Sequence, residues 1–372
     1  MERVAVIHCS EYERQDVQRA VDTAFELSGG IESMIRPGMR VLIKLNLLMK
    51  RAPERATTTH PEVARAVACA VMKAGAIPIF ADSPGGPFTK GMLTGVYEAC
   101  GITKAAGEIG CALNWDFSVT KRFYTEGVAA KHLDLLGVLD QVDAVISVGK
   151  LKTHGYTTMT GCVKNLYGLV PGTTKVEYHA RYPKADVFSD MLVDLYECVK
   201  PCFSILDAIE GMEGEGPSGG RPRRIGALIA GRNAHAVDAT GAKVIGLDPA
   251  RVSTLAAAEK RGLIGAYECV GDPIEPLVLR DFDIPMGLKK TNWLRLVDKL
   301  PQRLRPRPVF THRQCDGCGT CVRVCPGKAI RLGQNKRPYV DLKMCIRCFC
   351  CQELCPKTDI EVNRTILSRW IK

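Results

Sequence analysis

Residues 315–356 carry one cysteine spacing twice. Cys315, Cys318, Cys321 and Cys325 are followed by Pro326, and Cys345, Cys348, Cys351 and Cys355 by Pro356. Every position recurs 30 residues later. A zinc site uses C-x-x-C pairs separated by a longer loop, so three cysteines at steps of three followed by Cys-Pro fit a larger, polynuclear centre better. A disulfide scaffold fits poorly as well. The chain has 372 residues and 17 cysteines, far from a small stapled domain. The two prolines fix the backbone and turn it away from the centre.

The doubled run resembles that of bacterial ferredoxins, in which the fourth cysteine of each run ligates the other cluster. The resemblance implies two [4Fe–4S] clusters. One is held by Cys315, Cys318, Cys321 and Cys355, the other by Cys345, Cys348, Cys351 and Cys325. Cys350, next to Cys351, is expected to be a buried spectator.

Composition sets the remaining bounds. Hydrophobic residues make up 46%, enough for a sizeable core. The apolar run at Met1–Cys9 is too short for a signal peptide, and no stretch reaches the length of a membrane span. Free thiols and clusters favour a reducing cytoplasm, in an anaerobic or microaerobic cell. The formal charge is +11. Two clusters, each about −2 with its thiolates, lower it to roughly +7. That balance suits an anionic substrate or an acidic redox partner. Aromatic residues are only 6% and no basic–aromatic stripe stands out, so nucleic acid is not an expected partner.

Residues 1–285 alternate short apolar runs with helical periodicity. Strands are expected at Arg3–His8, Met39–Asn46, Ala76–Asp82, Val142–Val148, Cys202–Asp207 and Ile225–Ala230. Helices are expected at Val17–Leu27, from His60-Pro61 to about Ala74 with Thr59 as cap, and near 161–169, 186–199, 235–246 and 253–261. This pattern predicts an α/β body around a mostly parallel sheet, in one unit or two subdomains. A basic, proline-containing linker follows at 286–308, then a small α+β ferredoxin-like domain at 309–363 and a tail at 364–372.

Polar segments follow the strands: Lys44–Asn46, Asp82–Gly86, Lys150–His154 and Asp207–Gly216. In open α/β sheets ligands bind beyond the carboxyl ends of strands, so the four segments are expected to meet in one cleft. Lys44, Asn46, Lys150, Lys152 and Asn165 are candidate anion-binding residues, with backbone N–H groups at the start of the 161–169 helix. Lys164, His154, His60 and Asp82 are candidate catalytic groups. Asp238 is read as a pairing or capping group. Glu213 and Glu215 are read as an exposed loop.

Four motifs together resemble the family known as domain of unknown function 362. They are Lys44-Leu45-Asn46 with Thr58-Thr59-His60-Pro61; Ala81-Asp82-Ser83-Pro84-Gly85-Gly86; Lys150-Leu151-Lys152-Thr153-His154 with Gly161-Cys162-Val163-Lys164-Asn165; and Glu210-Gly211-Met212-Glu213-Gly214 with Gly216-Pro217. The resemblance spans nearly the whole chain and implies an α/β body with a terminal ferredoxin module. One loop is also similar, more distantly, to the nickel-pincer lactate racemases. It runs through His154, Lys164, Val170-Pro171-Gly172 and His179. That similarity implies a histidine and a lysine at a pincer cofactor and a later histidine near nickel.

Three functions follow as expectations. The first is an iron–sulfur oxidoreductase delivering low-potential electrons to an anionic substrate or cofactor in the α/β cleft. The second is an electron-transfer subunit that docks on a larger enzyme. The third is a non-redox enzyme of racemase or lyase type with structural clusters. No Gly-x-Gly-x-x-Gly follows a strand and no P-loop occurs, so a dinucleotide or nucleotide motif is not evident.

Overall fold

The computed structural model describes residues 1–284 and 305–363. Most of the expected linker and the whole of the expected tail therefore lie outside the described residues.

The body is built on one large sheet. Its strands are β1 (Glu2–His8), β2 (Arg40–Lys44), β3 (Ile77–Ala81), β4 (Ala112–Leu113), β7 (Ala144–His154), β8 (Thr158–Thr160), β9 (Phe203–Glu213), β10 (Arg221–Gly231) and β11 (Tyr267–Gly271); a separate hairpin pairs β5 (Val119–Phe123) with β6 (His132–Leu136). The order across the sheet is β11-β1-β10-β9-β7-β2-β3-β4, with β8 folded back on β7. The run β9-β7-β2-β3-β4 is parallel. β10 lies antiparallel to both of its neighbours.

Helices cover both faces, which is why the strands read as continuous apolar runs. The 3.6-residue apolar stripes of α1 (Arg14–Leu27), α2 (Pro61–Lys73), α3 (Lys90–Ala99) and α4 (Ile102–Ile109) pack on one face with Ala5, Ile43, Phe80, Ile146 and Val148. On the other face α5 (Cys162–Asn165), α7 (Ala185–Val199), α8 (Ala234–Val244) and α9 (Ser253–Lys260), with α6 (Thr174–Arg181) between α5 and α7, gather around Val4, Val6, Leu42, Leu151, Leu206 and Ile229. Neighbouring residues such as Val4 and Ala5 go to opposite cores, as the period of two requires. Each fully buried aliphatic side chain contributes about 1.5–3 kcal/mol.

Two boundaries differ from the sequence reading. His60, not Thr59, caps α2: its Nδ1 accepts the Glu62 N–H at 3.2 Å. Thr59 is held by the sheet instead, accepting from Asn46 N at 2.9 Å and donating to Val148 O at 2.8 Å. Lys150–His154, expected to follow a strand that ends at Val148, continues β7 instead, because β8 and β9 supply backbone partners along its length.

The cysteine-rich part forms two small antiparallel ribbons, β12 (Arg307–Phe310) with β15 (Ile360–Asn363) and β13 (Ile330–Leu332) with β14 (Pro338–Val340). The short helices Thr320–Arg323 and Cys350–Glu353 carry the third cysteine of each run. This part packs directly on the body. Ser218 Oγ donates to Glu353 O at 2.7 Å, Gln352 Nε2 to Glu215 O at 3.1 Å and Arg51 Nη2 to Pro356 O at 3.0 Å.

Candidate functional site

The parallel strands end together, and their last residues build the floor of a cavity. Lys44 at the end of β2 is fully buried and ion-pairs with Asp82, just past β3, at 2.8 Å. Its ammonium also donates to Leu45 O and, at 3.2 Å, to Asn165 Oδ1. Asn165 is locked by donating to Lys44 O at 3.0 Å and Ser147 Oγ at 3.1 Å. Gly168 makes this pair possible, since a Cβ there would lie 1.9 Å from Asp82 Oδ1.

Above that floor three lysines line the cavity. Lys152 donates to Asn46 Oδ1 and Thr57 O, both at 2.7 Å. Both acceptors are neutral. Burial, then the neighbouring Lys164, lowers Lys152 to about 7. Lys164 has no hydrogen-bond or ion-pair partner among the described residues; its ammonium stands 5.7 Å over the Tyr167 ring. Burial lowers it too, against the pull of Glu353. Lys175 donates to Ser83 Oγ at 3.0 Å and Val170 O at 2.5 Å. Burial brings it to about 7 although Asp82 favours its charge. His179 stacks on Phe188 with ring centroids 4.4 Å apart, and its Nδ1 has no partner among the described residues. Burial, then Lys164, drives His179 down to about 3, so it is neutral at pH 7.

The cavity is small, about 70 Å³, and its far wall comes from the second cysteine run: Cys350, Glu353 and Leu354. Cys350 is buried there. Glu353 Oε2 lies 3.7 Å from His154 Nε2. His154 Nδ1 accepts from Tyr156 N at 3.0 Å and Thr157 N at 3.3 Å, so its proton resides on Nε2, facing Glu353.

The structure thus brings Asn46, Asp82, Lys152, Lys164 and Asn165 to one cavity, with Lys44 beneath and His154 beside it. It puts Lys150 and His60 elsewhere. Lys150 and Asp207 are register neighbours on β7 and β9 and ion-pair at 3.0 Å. Tyr12 closes this second cluster: its hydroxyl donates to Asp207 at 2.9 Å, accepts from Lys150 at 2.6 Å, and its ring stacks on His60 at 3.6 Å. Burial lowers His60 to about 4.

Two further expectations are corrected. The first turn of α5 offers no anion site, because Asp238 accepts from Cys162 N at 2.6 Å and Val163 N at 3.1 Å. Glu213 is no exposed loop residue; it is buried at the end of β9, bonded to Arg221 at 2.8 Å. The sequence reading missed Lys175 and Tyr12 as polar anchors. Lys175 is one position past Thr173-Thr174 in a turn-rich stretch, and only the fold returns it to Ser83. Tyr12 is separated from Asp207 by 195 positions.

The cysteines fall into two groups. A hollow is lined by Cys315, Cys318, Cys321 and Cys355. Burial, then Cys355, pushes the Cys321 thiol up to about 11, with Cys318 and Cys315 acting in the same direction. Cys351 is pushed well up by burial, then by Cys348, Cys345 and Cys325. Four thiols crowded in each group repel as thiolates and need a cationic centre between them, which an iron–sulfur cluster fits. The backbone N–H groups of Ala329 and Asp359 point at Cys325 Sγ (3.2 Å) and Cys355 Sγ (3.5 Å), the kind of contact that tunes such clusters. Among the described residues no three His, Cys, Asp or Glu side chains are grouped to hold a single metal ion.

Fold and site together define an α/β protein joined to a dicluster iron–sulfur module. The profile of Domain of unknown function (DUF362) matches residues 41–243, and that of the 4Fe-4S dicluster domain matches residues 307–356. The chain belongs to the DUF362 family. It is 34% identical to a thylakoid-associated protein of Synechocystis over 308 residues, covering 82% of this chain and 89% of that one. A 44-residue stretch is 48% identical to one component of the Na⁺-translocating ferredoxin:NAD⁺ oxidoreductase complex of Acetobacterium woodii, covering 12% and 13% of the two chains. Among solved structures, the lactate racemase apoprotein of Thermoanaerobacterium thermosaccharolyticum is similar at a TM-score of 0.41 and 12% identity, covering 63% of this chain and 56% of that one. A structural-genomics protein of Thermotoga maritima is similar at a TM-score of 0.38 and 12% identity, covering 62% and 59%. The chain therefore spans less than two thirds of either solved structure. No helix among the described residues is long and apolar enough to cross a membrane.

Proposed function

We propose that the protein is an iron–sulfur oxidoreductase that reduces a small anion in the lysine-lined cavity. The observation that carries the reading is the shared wall: Cys350, Glu353 and Leu354 from the second cysteine run line the same cavity as Lys152, Lys164 and Lys175. Cys315, Cys318, Cys321 and Cys355 are assigned to one [4Fe–4S] cluster, and Cys345, Cys348, Cys351 and Cys325 to the other. When bound, such clusters supply one-electron transfer at low potential.

The chain's own residues supply the rest. Lys164, unpaired and buried, gains an ion pair when an anion enters. Lys152 has two neutral acceptors and one N–H left for the ligand. With pKa values of about 7, Lys152 and Lys175 can each hold or release a proton near neutral pH. Asp82 and Asn165 keep Lys44 in place beneath them. Leu354 and Tyr167 add apolar surface to the lining. A reducing cytoplasm suits this chemistry. Residues 1–285 would hold the substrate and 309–363 the clusters.

A second reading, an electron-transfer component of a larger enzyme, is favoured by the local similarity to the Acetobacterium woodii complex. One experiment separates them. Anaerobically reduced protein is mixed with a panel of small carboxylates and oxoanions, and cluster reoxidation is followed optically. The oxidoreductase reading expects reoxidation by one class of anion, lost in Lys164→Ala while reduction by dithionite is retained. Reoxidation by protein acceptors alone would support the electron-transfer reading.

A further inference from the structure

The two cysteine groups face different surroundings. Cys348 and Cys351 are buried, and their neighbour Cys350 lines the cavity, whereas Cys318 is exposed. Three side chains converge on the loop that carries Cys318. Arg323 Nη1 donates to Cys318 O at 3.0 Å. Lys336 packs against Gly317, where an added Cβ would meet its Cβ at 2.8 Å. Leu332 lies 3.8 Å from the Cβ position of Gly319, and is 40% exposed. Arg331 and Arg337, on the same ribbon, are also exposed. The one acidic residue on this loop, Asp316, is neutralised by Lys357 at 3.5 Å. The result is an exposed apolar residue with a positive rim around the most accessible cysteine of the module.

We infer that this face, centred on Leu332 and rimmed by Arg323, Lys336 and Arg331, docks an acidic one-electron carrier protein. The inference rests on the proposed cluster ligation by Cys315, Cys318, Cys321 and Cys355. An apolar centre with a complementary charged rim is how transient redox partners associate: the charges steer encounter, and the centre excludes water. One electron leaves the carrier and arrives at the Cys318 side, and the carrier is oxidised by the same one electron. The cavity side stays free for the anion. The same positive rim would also attract an anionic lipid surface, but its place beside a candidate electron-entry point, on the loop that Arg323 holds at Cys318 O, favours a protein partner.

The test uses the holoprotein and a reduced acidic [2Fe–2S] ferredoxin in an anaerobic stopped flow, with dithionite as the small-molecule control. Wild type should be reduced by the carrier at least about tenfold more slowly at roughly 0.5 M than at roughly 0.05 M salt, by the usual range of steering effects. The double variant Arg331→Glu, Lys336→Glu, which keeps the Arg323 hydrogen bond to Cys318 O, should lose at least about tenfold at low salt, with dithionite reduction and iron content unchanged. Titration calorimetry with the oxidised carrier reads docking without electron transfer and should show the same loss. A carrier rate indifferent to salt and to charge reversal would overturn the proposal. So would equal reduction by a basic carrier, or pelleting with phosphatidylglycerol vesicles that the double variant abolishes while carrier binding persists. If iron is absent, the proposed function fails; if iron and dithionite reduction are intact but the carrier is indifferent, only the docking face fails.

Discussion

Gly85 on the body touches Leu354 on the cysteine-rich module so closely that an added Cβ would lie 2.0 Å from Leu354 Cδ2. Leu354 lines the cavity beside Gly85. The seam between the two parts is thus packed like an interior, with no slack for a methyl group. Gly85→Val should cost about 1–3 kcal/mol and loosen the wall. Thermal unfolding should show the loss, and Leu354→Ala in the same chain should recover part of it. Additive losses would show that the seam does not close here.

The ligand assignment predicts which cysteines share a fate. Holoprotein should carry about eight iron atoms. Cys318→Ala and Cys355→Ala should remove the same half of the iron and the same electron paramagnetic resonance signal. Cys325→Ala should instead lose the signal that Cys348→Ala loses. Cys350→Ala should retain all the iron. If Cys325→Ala behaved like Cys318→Ala, ligation within each run would replace the exchanged arrangement.

Lys152 and Lys175 predict two pH effects of opposite benefit. Burial lowers both from 10.5 to about 7. Between about 7 and 10.5 the unfolded chain binds more protons than the native one, so stability rises with pH across that window and is lowest below it. Lys152→Met should flatten that rise and lift the melting temperature at about pH 6. Anion binding needs the charged forms, so affinity should fall as pH climbs above about 7, by roughly tenfold per unit for each lysine that must be protonated. Calorimetry of the active anion from about pH 6 to about pH 9 checks the sign. Affinity that grew with pH would remove both lysines from binding.

Asp238 supports the helix that presents Lys164. Removing its carboxylate in Asp238→Ala leaves two buried N–H groups, of Cys162 and Val163, without acceptors. The expected loss is about 2–4 kcal/mol. Asp238→Asn keeps one acceptor and should lose less. Burial raises this carboxyl from 3.8 to about 7, so in the native state it is uncharged below about pH 7; its contribution to stability is fully present below about pH 4 and declines as pH rises from about 4 to 7. Denaturant unfolding at about pH 4.5 and about pH 7.5 measures that difference, which Asp238→Asn should abolish.

Much of this was legible in the residues. Cysteine spacing marked the iron–sulfur module, because ligand spacing is local in sequence. Continuous apolar strands announced a sheet covered on both faces, as Ile146 and Val148 show. The gathering of Lys44, Asp82 and Lys152 followed from the rule that ligands meet beyond parallel strand ends, whereas Asp207, expected in the same cleft, pairs with Lys150 away from it. The division of the lysines was not legible. Lys150 and Lys152 are two residues apart, yet a register shift in the β7–β9 pairing separates them, and Asp207 takes only the first. The anion site expected at the start of α5 was lost to Asp238, a partner 76 positions away. Nothing in local spacing encodes that contact, or the return of Lys175 to Ser83.

The cavity borrows one wall from residues nearly two hundred positions beyond its lysines. Had the two parts been separate proteins, each encounter would have been limited by diffusion and open to competitors. Joined in one chain, they meet at an effective concentration on the order of millimolar. The stoichiometry is fixed at one to one by translation, and severing the chain between the two parts would leave two pieces, neither of which encloses the cavity.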